Sequence, residues 1–210
     1  CATRSCEIFE LDANDGQNLH SGPILRAHAT PDVWGLATHP LFQHLFCTVG
    51  YDRTIRVWDT VTRRVARMAT LDSKARCCAF SPDGQLIVVG LGNGSTDKAL
   101  HEKREGGFVV LSEDTLTIVF EGRDSKQMIS DIKYSTDGNT LAIASYDGSV
   151  YIYNGSDFAA RARCVGHHGK ITNIDFSRDG EYLMSNCTAG ELLFWSTSTG
   201  EQQIAKNMKD

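Results

Sequence analysis

The 210-residue chain contains no apolar run as long as the roughly 18 residues a membrane-crossing helix needs. Cys1 to Glu10 also lack the basic-then-apolar order of a secretory leader. There is no basic surplus either: 21 Lys and Arg stand against 26 Asp and Glu, for a net charge of −5, which excludes a nucleic-acid binder held by bulk charge. Helical periodicity is nowhere sustained. Cys1, Cys6, Cys47, Cys77, Cys78, Cys164 and Cys187 form an odd, irregularly spaced set, which argues against a disulfide framework and for a reducing compartment. Glycosylation sequons begin at Asn93, Asn154 and Asn186, but motifs this short recur by chance.

What is present is a globular composition, 41% hydrophobic and 22% charged, in a chain long enough to bury a core. The main signal is a repeat. Ser81-Pro82-Asp83-Gly84, Ser135-Thr136-Asp137-Gly138 and Ser177-Arg178-Asp179-Gly180 each follow a short alternating run ending in Phe80, Tyr134 or Phe176. Each precedes a second apolar run. A third run then closes on Trp58, Leu111, Tyr153 or Trp195, at spacings of 53, 42 and 42 residues. Period-two runs separated by Asp-Gly turns predict antiparallel hairpins.

A four-stranded unit of about forty residues, opening near Ala27-His28 or Gly166-His167 and closing at Trp58-Asp59 or Trp195-Ser196, resembles a WD40 propeller blade. The expected fold is all-β: a WD40 β-propeller segment of about four complete four-stranded blades plus one extra strand, part of a larger propeller. Residues 1–26 would hold the last strand of a preceding blade and a linker. Blades would follow at 27–71, 72–121, 122–164 and 165–210, the last including the start of a linker. The 53-residue spacing points to an insertion, 93–105, between the second and third strands of its blade.

In such blades a His, a Ser or Thr, an Asp and a Trp form one hydrogen-bonded chain. The first blade supplies His28, Thr48, Asp52 and Trp58. The fourth keeps His167, Ser185 and Trp195 with Ala189 in the Asp position, and the third keeps Asp147 and ends at Tyr153. Recurrence at blade spacing favours a structural role over a catalytic triad, which is recognised by geometry and roles. No residue set recommends an enzyme. Cys164, His167, His168 and Cys187 match no common zinc spacing, and Gly90 to Gly94 lacks the Lys-Ser/Thr pair and following helix of a phosphate loop, so no metal or cofactor is expected.

Two segments are candidate partner surfaces. Arg53, Arg56, Arg63, Arg64, Arg67, Lys74 and Arg76 form a basic run facing only Asp59 and Asp72, suited to an acidic partner or simply to protecting sheet edges. The insertion carries Lys98, His101, Lys103 and Arg104 and would sit on the face of the blade-to-blade loops, either as a contact site or as a tolerated insertion.

The stretch from His28 through Val33-Trp34-Gly35-Leu36-Ala37-Thr38-His39-Pro40 is more specific than a generic blade. With Ala75 to Gly84, Ile143 to Tyr153 and Gly166 to Thr172, it resembles the echinoderm microtubule-associated protein-like (EMAP-like) family over nearly the whole chain from about residue 28, in the second, C-terminal propeller of a tandem pair. The ending from Gly200 is similar to the approach to a further propeller in long family members. The resemblance implies a non-enzymatic microtubule-associated protein that binds tubulin and other proteins and organises cytoskeletal or axonemal structure. It would sit in the cytoplasm on microtubules or in the cilium axoneme, with no nucleic-acid or membrane partner. The family's hydrophobic motif and N-terminal trimerising coiled coil are not visible here. The alternative is a generic WD40 protein–protein interaction scaffold or substrate adaptor, and oligomeric state is left open.

Overall fold

The computed structural model describes residues 7–22, 25–26, 28, 33–93 and 104–204. Its first sheet pairs β1 (Glu7–Ile8) with β2 (Leu25–Arg26). Four four-stranded antiparallel sheets follow: β3 (Val33–Thr38), β4 (Leu45–Gly50), β5 (Thr54–Asp59) and β6 (Arg64–Thr70), then β7 (Ala75–Phe80), β8 (Leu86–Leu91), β9 (Phe108–Ser112) and β10 (Ile118–Gly122). The third holds β11 (Ile129–Tyr134), β12 (Thr140–Ser145), β13 (Ser149–Asn154) and β14 (Ala160–Val165), and the fourth β15 (Ile171–Phe176), β16 (Tyr182–Cys187), β17 (Leu192–Ser196) and β18 (Gln202–Gln203). Each sheet runs in simple sequence order, and the first strands β3, β7, β11 and β15 touch in succession, so the sheets radiate as blades of an arc that does not close.

The pattern within a blade follows from where each strand sits. Where a blade has neighbours on both sides its second and third strands are covered on both faces, and β12 is buried at every position, whereas β16 in the last blade of the arc alternates buried with exposed or half-buried residues. Outer strands have one free face, and β6 alternates exposed and half-buried residues along its length. Apolar clusters fill the gaps between blades. Val49, Ile55 and Val57 meet Phe80, Ile87 and Val89; Val88, Phe108 and Val110 meet Ile132, Leu141 and Ile143; Ala144, Val150 and Ile152 meet Ile174, Leu183 and Trp195.

The Ser-x-Asp-Gly turns are built identically. Ser81, Ser135 and Ser177 donate to Asp83, Asp137 and Asp179 at 2.5–2.6 Å and accept from the amides of Leu86, Thr140 and Tyr182 at 2.9–3.0 Å. The glycine that follows has φ of +73 to +75°, a conformation in which a side chain is strained.

The structure corrects three details. Two strands, not one, precede the first full blade, because the segment between them turns back through the Leu11–Asn18 bridge and pairs them as a hairpin. Strands β10 and β14 run one residue past the expected limits at 121 and 164, since ladder pairing at Gly122 and Val165 outlasts the sequence pattern. Trp58 is only half-buried, whereas Trp195 is 1% exposed.

Candidate functional site

Antiparallel order gives every blade two ends. The upper end carries the starts of β3, β7, β11 and β15, the turns joining second to third strands, and the connections between blades; the lower end carries the remaining turns.

At the upper end of the first blade the four expected residues meet. The Trp58 indole donates to Thr48 Oγ1 at 2.7 Å, which lies 2.7 Å from His28 Nε2, while His28 Nδ1 is 2.9 Å from Asp52. With the indole N–H directed at Thr48, the consistent proton order is Thr48 hydroxyl to Nε2 and Nδ1–H to Asp52. Burial pushes the Asp52 carboxyl up, but hydrogen bonds from His28 and Thr54 outweigh it and hold the group below its ordinary range. Arg56, one of the basic run, is also buried and lies 3.3 Å from Asp52.

In the fourth blade Trp195 donates to Ser185 Oγ at 2.7 Å, and Ser185 lies 2.6 Å from His167 Nε2. Glu191, two residues beyond Ala189, reaches back to His167 Nδ1 at 3.4 Å and thus takes the position left without an Asp. His168 holds the same carboxylate through its ring at 2.6 Å and its amide at 2.8 Å, and Cys187 Sγ lies 3.2 Å away. The His168 amide and ring, then the Cys187 thiol, hold Glu191 down to about 2. The sequence signal for this acid was hidden, because Glu191 is out of register with the usual Asp.

In the third blade Ser125 occupies the histidine's place. Its hydroxyl lies 2.7 Å from Ser145 and 3.1 Å from Asp147, which also accepts from Tyr151 at 2.5 Å. Small hydroxyl residues thus complete around Asp147 a chain that residue identity alone concealed.

Among the described residues His167, Cys187 and Glu191 bring three metal-ligating atoms within 4.8 Å of one another. These atoms already bond to one another and to His168: Glu191 accepts from the His168 ring and amide and from the Cys187 thiol, and lies 3.4 Å from His167 Nδ1. Cys164, grouped with these residues by sequence, lies in the apolar cluster between the third and fourth blades, where burial pushes its thiol up to about 12.

The basic run does not form one patch. Arg53, Lys74 and Arg76 lie at the upper end, whereas Arg63 lies in the lower β5–β6 turn and Arg64 opens β6 beside it, because a six-residue strand separates the two turns. Arg67 on the outer strand is paired with Glu113 of the next blade, and Arg56 with Asp52. Of the insertion, Lys98, His101 and Lys103 lie outside the described residues. Arg104 is described: its amide donates to Ser73 at 3.2 Å and its guanidinium pairs with Glu121 at 2.7 Å and Asp72 at 3.5 Å, so it ties its own blade to the connection before β7.

Sequence order also hid a cation–aromatic cluster at the upper end. The Arg76 guanidinium lies 3.3 Å above Trp34, Lys74 sits over Tyr51 at 5.6 Å, Lys170 over Tyr146 at 5.0 Å, and Trp34 and Tyr51 are 5.6 Å apart. Trp34 and Arg76 flank a cleft of about 320 Å³ between the inner strands, reached also by Asp131, Lys133 and Tyr146. Charge is segregated between the ends. The lower turns hold eight carboxylates (Asp83, Glu113, Asp114, Asp137, Asp157, Asp179, Glu181, Glu201) against Arg63 and Arg178. The described upper turns and connections balance six acids with six bases.

Radiating four-stranded sheets, repeated Ser-x-Asp-Gly turns and indole–hydroxyl–imidazole chains define a segment of a WD-repeat β-propeller. Residues 33–210 match the family described as echinoderm microtubule-associated protein second beta-propeller, and the chain belongs to that family. It is 36% identical to human echinoderm microtubule-associated protein-like 3 over 186 residues, 87% of this chain and 19% of that protein. It is 33% identical to human echinoderm microtubule-associated protein-like 4 over 201 residues, 94% of this chain and 19% of that protein. The 77 kDa echinoderm microtubule-associated protein of Strongylocentrotus purpuratus is 34% identical over 205 residues, 95% of this chain and 28% of that protein. The chain therefore spans 19% to 28% of these relatives' length.

Proposed function

We propose that this chain is part of a non-enzymatic microtubule-associated protein in which the propeller is a rigid platform and the upper end faces tubulin. Family membership carries the reading, and the named relatives are microtubule-associated proteins. The distribution of charge supports the choice of end. An acidic lattice repels the carboxylate-rich lower turns and meets Lys74, Arg76 and Lys170 above. The hydrogen-bonded chains around Thr48, Ser145 and Ser185 hold the strands that present these side chains; none is asked to do covalent chemistry. The setting is the cytoplasmic microtubule cytoskeleton, extending to the axoneme of cilia, where the protein organises filaments.

The test is cosedimentation of the full-length protein with polymerised tubulin across a salt series. Reversal to Glu at Lys74, Arg76 and Lys170 is expected to weaken binding and flatten its salt dependence, while reversal at Arg63 and Arg64 leaves it unchanged. The opposite pattern would move the contact to the lower end. Absence of binding by the unmodified full-length protein would leave the interaction-scaffold reading.

A further inference from the structure

The lower end carries a groove that the upper-end reading does not use. It lies between the first and second blades, has a volume of about 460 Å³, and is bounded by the β3–β4 turn on one side and the β9–β10 turn on the other. Its floor is rigid. The buried His39 ring accepts the amides of Leu41 and Phe42 at 3.1 and 3.0 Å and packs 4.9 Å from Phe80, and Gly84 lies so close that an added Cβ would fall 2.3 Å from His39 Cε1. Both blades that form the groove are described, so it does not depend on the gap where the arc stays open.

The walls combine two chemistries. Leu41, Phe42 and Val119 are 63%, 52% and 53% exposed, an apolar rim that a folded protein has reason to cover. The charged side chains lining the groove are all acidic: Asp83 and Asp114 are exposed at its mouth, and Glu113 is neutralised by Arg67. Asp83, Glu113 and Asp114 line the groove itself, and the lower turns of the four blades together hold eight carboxylates against two arginines, so a basic chain is drawn to this end and an acidic one is turned away.

We propose that this groove docks a short basic–apolar segment of a partner protein, with a bulky apolar side chain seated between Phe42 and Val119 and a flanking lysine or arginine at Asp83 and Asp114. The acidity of the face makes a second copy of this chain a poor occupant, since two such ends repel. The protein would then hold a lattice with one end and a basic partner with the other.

The experiment uses the full-length protein and fluorescent synthetic peptides that share a central Phe or Leu and differ in their flanks, which are Lys/Arg, Gln or Glu. Fluorescence polarisation is expected to rank Lys/Arg above Gln and Gln above Glu, with at least about a tenfold spread, a difference of 1.4 kcal/mol or more. At exposed positions, Phe42→Ser is expected to weaken all three peptides severalfold and Asp114→Lys to lose most of the charge preference, while Lys170→Glu at the other end leaves both intact. Equal binding of all three peptide classes would overturn the proposal, as would unchanged binding by both groove variants. Concentration-dependent self-association abolished by Phe42→Ser would overturn it in favour of a second copy.

Discussion

At the residue scale the polar chains inside the blades show what a sequence motif does and does not disclose. His28, Thr48, Asp52 and Trp58 stand at the usual spacing and could be read off, whereas Glu191 and Ser125 reach equivalent places from other positions or with other chemistry. Glu191 gives the sharper test, because three neighbours hold its carboxyl down to about 2, against an ordinary value of 4.5. The stability it contributes is therefore present above pH 4.5 and is lost as pH falls toward 2. His167 acts in the same direction at higher pH: burial lowers its pKa below 6.5, so the fold favours the neutral ring and loses stability as pH drops below that value. Thermal midpoints measured against pH on the propeller should decline in two stages on acidification. Glu191→Gln is expected to lower the midpoint near neutrality and to make the decline below pH 4.5 shallower, the remainder coming from other carboxylates that hydrogen bonds hold low, Asp52 and Asp137 among them. A variant with an unaltered acid limb would show that Glu191 is not engaged as described.

At the element scale, period-two runs and Asp-Gly turns made the strand count of each blade legible, because alternation and turn chemistry are local. Close approach between blades was not legible, since it depends on which strands become neighbours. Gly35 in β3 illustrates this: a Cβ added there would lie 2.5 Å from Val49 Cγ2 and 2.9 Å from the Cys77 backbone in β7. Its backbone is not in the left-handed region, so a substitution tests space alone. Gly35→Ala is expected to cost about 1–3 kcal/mol by forcing β3 and β7 apart. Urea unfolding of the propeller measures this, and a loss well under 1 kcal/mol would mean that the two inner strands separate freely. The basic run failed for a related reason. Seven cations close in sequence read as one patch, but each reversal of the chain sends successive turns to opposite ends, and two of the arginines are consumed by Asp52 and Glu113.

At the scale of the whole molecule, the net charge of −5 looks like an obstacle to binding an acidic lattice, and the distance between the two ends decides whether it is one. A six-residue strand spans about 20 Å, so the lower carboxylates stand roughly that far behind the upper surface. The screening length is about 8 Å at 0.15 M salt and about 30 Å at 0.01 M. Repulsion from the lower end therefore reaches the lattice only at low salt. Replacing Asp114, Glu181 and Glu201, all exposed, with Asn, Gln and Gln brings the net charge from −5 to −2. Microtubule affinity of the full-length protein is expected to rise severalfold at 0.01 M salt and to stay within about twofold of the unmodified protein at 0.15 M, where screening removes the long-range contribution. A gain of similar size at both salt concentrations would place these carboxylates against the lattice itself, and the orientation with the upper end toward tubulin would be wrong.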